Sequence, residues 1–162
     1  MNERIKQLLL YMKENELDAF LVSKAENIRY LSGFTGGEDA RLLLTAEQRY
    51  IFTDSRYFEQ VSWECPDWEL VESRPPGLEE LQQVSSRLSR IGVEGHVISY
   101  NAYRELEQSL PNKLIPLTNV AEKLRQIKDE DELQMMREAA RIGDEVFSEL
   151  CRYKITPGVS ER

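Results

Sequence analysis

The sequence predicts an α/β fold, a mixed sheet with helices on both faces, followed by a C-terminal helix. Three observations lead there. Ala19-Phe20-Leu21-Val22 is an unbroken apolar run, which reads as a strand covered on both faces. Helix-spaced and strand-like segments alternate as far as Leu117. Arg41-Leu42-Leu43-Leu44-Thr45 and Tyr50-Ile51-Phe52-Thr53 flank a short connection and predict a hairpin, so the sheet mixes antiparallel with parallel pairs.

Taken in order, Asn2 caps a first helix with Ile5, Leu8, Leu9 and Met12 at helical spacing, and Asn15 is a left-handed stop. After the buried strand, Ser23-Lys24-Ala25-Glu26 has capping-box spacing for a short helix through Leu31 that ends at Gly33. Phe34-Thr35-Gly36-Gly37 is a loop, and the hairpin follows without the usual Asn-Gly or Asp-Gly turn. Asp54 begins a helix carrying Tyr57, Phe58 and Val61, closed by Cys65-Pro66-Asp67 before a strand at Trp68–Val71. The pattern repeats with a turn at Arg74–Gly77, a helix on Leu78, Leu81, Val84 and Leu88, and a strand at Ile91–Glu94. Ser99 caps a helix over Tyr103, Leu106 and Leu110, and Pro116 confines the next strand, Leu114–Leu117, to an edge or an end.

Asn119–Lys128 is a charged, helical connector that reads as a domain boundary. Asp129 with Glu132 forms a second capping box, and Leu133, Met136, Ala140, Gly143, Phe147 and Leu150 make the stripe of one long amphipathic helix. Such a stripe needs apolar cover, expected from the first domain or a second copy of the chain. Tyr153–Gly158 breaks the helix, and Val159–Arg162 reads as the first turn of a further element. The division is therefore 1–127 for the first domain and 128–162 for the linker end and the first helix of a second one.

Size and charge narrow the function classes. The 162 residues, 41% hydrophobic, suffice for one ordinary core plus an appendage. The net charge is 21 − 29 = −8, with no basic face, which argues against nucleic acid and anionic membranes as partners. The longest early apolar run, Leu8–Met12, is too short for a signal core, and Cys65 and Cys151 form no Cys-x-x-Cys pattern, so cytoplasm is the expectation.

Chemistry-bearing patterns are sparse. His96 is the single histidine and reads as a surface or turn residue rather than a metal ligand. Glu130, Asp131 and Glu132 offset a helix dipole in its first turn. The Gly33–Gly37 loop matches no phosphate-binding pattern; its glycines supply turn conformations and let Phe34 and Thr35 reach a neighbouring surface. Arg56 is harder to place, because a cation in the first turn opposes the helix dipole by about 0.3–1 kcal/mol. A carboxylate would relieve it, either Glu59 or Glu26 in a salt bridge or one carried by a ligand, and Arg29 poses the same choice.

Asn27, Tyr30, Leu31, Gly33, Phe34, Thr35 and Gly36, then Asp54, Arg56, Tyr57 and Gln60, then Glu122–Glu132 form an ordered series that resembles the creatinase/prolidase/aminopeptidase P family. Lys154–Gly158 resembles the turn after the first helix of that family's catalytic domain, whereas Ser55 departs from it where relatives often carry Gly. The resemblance implies the amino-terminal, non-catalytic domain of a cytoplasmic Xaa-Pro dipeptidase or aminopeptidase. Two divalent metals, often manganese, are then expected in a downstream domain, and none of their ligands in residues 1–162. It also implies a homodimer in which Arg56, Tyr57, Phe34 and Thr35 contact a proline-containing peptide at the partner's active site. The alternatives are a creatinase-type amidinohydrolase and a catalytically inactive peptide-binding relative.

Overall fold

The computed structural model describes residues 3–73, 77–153, 158 and 160, and the chain divides into two compact units, Met1–Arg125 and Gln126–Arg162. The readings of Asn2 as a cap, of the turn through Arg74–Pro76, and of residues 154–157, 159 and 161–162 fall outside the described residues.

In the first unit, helix α1 (Glu3–Glu14) precedes β1 (Ala19–Val22) and α2 (Ala25–Ser32). The hairpin β2 (Arg41–Thr45) and β3 (Arg49–Thr53) leads to α3 (Phe58–Glu64) and β4 (Glu69–Glu72). Then come α4 (Leu78–Ser85), β5 (Arg90–Glu94), α5 (Tyr100–Ser109), β6 (Lys113–Leu117) and α6 (Val120–Gln126). The six strands lie in the order β4-β3-β2-β1-β5-β6. Pairs β1–β5, β5–β6 and β3–β4 are parallel and pairs β1–β2 and β2–β3 antiparallel, so β2 alone opposes the other five.

The apolar run of β1 is buried at all four positions because the pleat sends its side chains to two cores. Phe20 and Val22 join Ile5, Leu8, Ile28, Leu42, Leu44 and Val61 on one face, under α1, α2 and α3. Ala19 and Leu21 join Leu43, Leu81, Val93 and Leu106 on the other, under α4 and α5. The hairpin turn uses Thr45 in place of Asn-Gly: its Oγ1 accepts from the amides of Gln48 at 2.9 Å and Glu47 at 3.3 Å. Strand β6, with Pro116, lies at the sheet edge, where a missing ladder donor costs nothing.

Three local expectations are corrected. The left-handed residue after α1 is Glu16, φ 54°, while Asn15 donates its side-chain amide to the Tyr11 carbonyl at 2.8 Å. Asp54 starts a single 3-10 turn, Ser55–Tyr57, rather than α3 itself. The Ser23 capping box does not form, because the cap comes from across the sheet: Glu94 Oε2 accepts the amides of Ser23 at 2.7 Å and Lys24 at 2.8 Å.

Glu94 is 2% exposed and Asn27 0% exposed, and together they begin a buried polar network. Asn27 Nδ2 donates to Glu94 Oε1 at 2.6 Å and to Glu122 Oε1 at 2.9 Å, and its Oδ1 accepts from Arg125 Nη1 at 3.1 Å. Glu122 Oε1 also meets Lys24 Nζ and His96 Nε2, each at 3.0 Å. The Asn119 amide points at His96 Nδ1, 3.4 Å away, which assigns the imidazole proton to Nε2 and makes it the donor to Glu122. His96, read from sequence as a turn residue, is thus part of this network. Burial alone would push the Glu122 carboxyl up, but the bonds from Asn27, His96 and Lys24 together outweigh it and hold it down at about 2.

The second unit contains α7 (Glu130–Tyr153). Its capping box forms as expected: the Asp129 amide donates to Glu132 Oε2 at 3.0 Å and the Glu132 amide to Asp129 Oδ1 at 2.9 Å. Arg141 pairs with Glu138 and Glu145 along the helix, and Met136, Ile142, Phe147 and Leu150 are exposed. Among the described residues, no helix is long and apolar enough to cross a membrane.

The depressed Glu122 carboxyl has a pH consequence. Its folded pKa of about 2 lies below the ordinary 4.5, so its stabilisation is present above 4.5 and lost as pH falls towards 2. Glu122→Gln is expected to lower the urea midpoint at neutral pH and to flatten the decline of that midpoint across the acid range. An acid decline as steep as in the parent would contradict this role.

Candidate functional site

The loops that leave β1, β3 and β5, and the start of β2, gather at the carboxyl edge of the parallel strands, where α/β sheets place their binding crevices. Two of the sequence motifs meet there. Asp54, after β3, caps the 3-10 turn by accepting the Arg56 amide at 3.0 Å. The same carboxylate takes the Arg56 side chain in a fork, Nε to Oδ1 at 2.9 Å and Nη2 to Oδ2 at 2.7 Å, and Asp39 Oδ1 lies 3.4 Å from Nη2. The cation that the helix dipole disfavours is therefore held by its own cap, not by Glu59 or Glu26. Its pKa is raised, first through the hydrogen bond to Asp54. Among the described residues Arg56 Nη1 has no hydrogen-bond partner, and the side chain is 64% exposed.

Tyr57 donates its hydroxyl to Asp39 Oδ2 at 2.7 Å, which with burial pushes the phenol up and keeps it protonated. Its ring meets Phe34 edge-on at 5.7 Å between centroids. Phe34 is 0% exposed, so it reaches the surface only through the Tyr57 ring that it supports. Thr35 faces α3: its amide donates to Glu64 Oε2 at 2.8 Å and its hydroxyl to Glu64 Oε1 at 2.9 Å. Gln60 Nε2 donates to Thr35 Oγ1 at 2.7 Å. Burial opposes the charge on Glu64, but the bonds from Thr35 and Gln60 prevail and lower its pKa.

Glycine is required at two places here. Gly33 ends α2 with φ 85°, a left-handed conformation that turns the chain into the loop. At Gly36 a Cβ would lie 2.8 Å from both Phe34 Cζ and Tyr57 Cε1. Between α2 and this loop runs an open groove of about 390 Å³, lined by Glu26, Arg29, Thr35, Gly36, Asp39 and Tyr57. The structure thus brings Thr35, Tyr57 and Arg56 to one rim, with Phe34 beneath them. Reading the sequence missed Asp39 and Glu64 as the acids that hold this rim; their only signal was position, in the loop after Gly37 and one turn after Gln60.

Among the described residues, no group of three or more His, Cys, Asp or Glu side chains is arranged to hold a metal ion. Cys65 is buried and its thiol is pushed up to about 11 by that burial, so it is not a ready nucleophile. The arrangement sets an arginine edge, a phenol and an open groove side by side.

The sequence model of the Creatinase/Prolidase N-terminal domain matches residues 4–127. The chain belongs to the creatinase/prolidase family. It is 28% identical to an uncharacterized peptidase, YqhT, of Bacillus subtilis over 148 residues, covering 90% of this chain and 41% of that protein. It is 24% identical to the Xaa-Pro dipeptidase of Pyrococcus horikoshii over 163 residues, covering 100% of this chain and 45% of the relative. The solved Xaa-Pro dipeptidase from Bacillus anthracis superposes with a TM-score of 0.90 at 29% identity, covering 98% of this chain and 45% of that one. The chain therefore spans about half the length of these relatives. Its creatinase/prolidase N-terminal domain is a mixed six-stranded sheet between two helical layers.

Gly36→Ala tests the rim geometry. The added methyl must displace the Phe34–Tyr57 pair, at a cost of about 1–3 kcal/mol, and is expected to weaken the near-ultraviolet circular dichroism of Tyr57 while far-ultraviolet signal is kept. Unchanged stability and aromatic signal would contradict the close approach at Gly36.

Proposed function

We propose that this chain is the amino-terminal, non-catalytic domain of a proline-specific metallopeptidase, an Xaa-Pro dipeptidase or aminopeptidase acting in the cytoplasm. Two divalent metals, manganese among the candidates, sit in a catalytic domain that follows residue 127, and this domain contributes oligomer contacts and substrate selection. Residues 128–162 form the linker end and first helix of that domain, whose body covers the exposed stripe of α7. In this reading the bond cleavage takes place in the following domain.

The observation that carries the selection role is the Arg56 edge. Asp54 and Asp39 fix the guanidinium through Nε and Nη2, while Nη1 stays available for the terminal carboxylate of a proline-containing peptide. Tyr57 and Thr35 flank it, and buried Phe34 sets the Tyr57 ring. The edge serves the active site of the other subunit in a homodimer. Trp63, 75% exposed on the same α3 as Gln60 and Glu64, suits an interface, where tryptophan is enriched.

Two measurements test this reading. The 162-residue chain with manganese and an Xaa-Pro dipeptide is expected to show no turnover, and sustained hydrolysis by it would overturn the division of labour. In the protein carrying the catalytic domain, Arg56→Ala is expected to raise KM for peptides with a free carboxylate by about 10- to 100-fold, about 1.4–2.8 kcal/mol, with kcat little changed. Peptide amides should be insensitive to the substitution. Equal KM values for parent and variant on free-carboxylate peptides would remove Arg56 from substrate selection.

A further inference from the structure

The two sides of the Arg56 rim come from different parts of the chain, and one carboxylate joins them. Arg56 and Tyr57 lie on the 3-10 turn Ser55–Tyr57 after β3, whereas the loop of residues 33–40 approaches from the end of α2. Asp54 holds the guanidinium, but it caps the same turn and so cannot fix that turn against the loop. Asp39, on the loop, can. Its Oδ2 accepts the Tyr57 hydroxyl at 2.7 Å, and its Oδ1 lies 3.4 Å from Arg56 Nη2.

Asp39 is itself seated from several directions. The hydroxyl of Thr53, 2% exposed at the end of β3, donates to the Asp39 carbonyl at 2.9 Å. The Asp39 amide donates to the Gly36 carbonyl at 3.2 Å within the 3-10 turn Gly37–Asp39. At the start of that turn Gly37 is pressed against α2, where a Cβ would lie 2.8 Å from the Ala25 carbonyl oxygen. Strand β3 and helix α2 therefore both locate the carboxylate.

The distances separate the roles of the two acids. The Asp54 fork, at 2.9 and 2.7 Å, supplies the strong bonds to the guanidinium, and at 3.4 Å Asp39 adds an ion pair. The bond from Tyr57 to Asp39 is short and charge-assisted. A carboxylate can only accept, so the phenol proton is committed to Asp39 and Tyr57 can offer a ligand only lone pairs. Of these two neighbours, Arg56 is then the one that can donate to a peptide carboxylate.

We propose that Asp39 is a positioning residue for substrate selection: it locks Tyr57 and Arg56 into one unit and sets that unit against the loop of residues 33–40. The proposal rests on the reading of Arg56 as the contact for a peptide carboxylate. Asp39 itself touches no peptide and acts through the two side chains that it holds.

The test has two arms. The first uses the 162-residue chain at neutral pH and needs no turnover. Asp39→Asn, which keeps the size of the side chain, is expected to shift the NMR resonances of the Tyr57 ring and the Arg56 Nε–H, while the amides of α1 and β5 keep theirs. Thr53→Val, which alters no rim side chain, should shift the same resonances. Unchanged Tyr57 and Arg56 signals in either variant would overturn the proposal. The second arm uses the protein carrying the catalytic domain. There Asp39→Asn is expected to raise KM for free-carboxylate peptides about 3- to 10-fold with kcat little changed, and to add less than about twofold once Arg56→Ala is present. A loss of kcat at constant KM, or full additivity with Arg56→Ala, would contradict positioning through Arg56. If Arg56→Ala raises KM and Asp39→Asn does not, this proposal alone fails; if Arg56→Ala leaves KM unchanged, the selection reading fails and takes this proposal with it.

Discussion

One side chain, Asn27, sets the geometry on which the carboxyl edge of this domain depends. Its amide is fully buried and lies between two carboxylates, Glu94 at the end of β5 and Glu122 on α6, donating to both. Two carboxylates so placed would repel without a shared donor and nearby cations, and Lys24, Arg125 and the Nε2–H of His96 complete the balance. The result ties α2 to the sheet and to the helix that ends the unit. Because α2 ends at Gly33, the orientation of α2 fixes where the chain turns, and so where Phe34, Thr35 and Gly36 meet Tyr57. Buried polar networks of this kind cost heavily when a single member is removed, which is why they specify one arrangement rather than merely adding stability.

The two arginines at this edge illustrate how environment assigns different work to one residue type. Arg56 is exposed and locked by acids that precede and cap its own turn, so its remaining edge is a rigid donor directed by local backbone geometry. Arg41 starts β2 and is partly buried, and that burial lowers its pKa while the Glu105 charge partly restores it. The first keeps its charge at the surface, and the second keeps it half-buried beside the sheet. Both positions follow from the sheet order: among the described strands β2 alone runs against the others, so its first residue, like the residues after β1, β3 and β5, falls at the carboxyl edge.

The elements legible in the sequence were those determined by local periodicity and backbone chemistry. The run Ala19–Val22 gave a doubly covered strand, Pro116 an edge, Gly33 a left-handed stop, and Asp129 with Glu132 a capping box, and the structure agrees at each. The motifs that marked the creatinase/prolidase family were visible as a series, although their physical linkage was not. What failed were interactions between residues distant in the chain. Ser23 looked like the cap of α2, but Glu94, 71 residues away, does that job. His96 is the exposed turn residue that the sequence predicted, but nothing near it in sequence reveals its bond to Glu122. The Arg56 dilemma was stated correctly and resolved by the nearest acid, Asp54, because an Asx cap can serve a backbone amide and a guanidinium together.

The most direct measurement is a double-mutant cycle in urea on Asn27→Ala and Glu122→Ala. If Asn27 binds α2 to α6 through a shared buried network, the two substitutions should be coupled by about 1–3 kcal/mol, the second costing much less once the first is made. Effects that add within about 0.5 kcal/mol would mean that the two residues act independently, and that the geometry of the carboxyl edge does not depend on their contact.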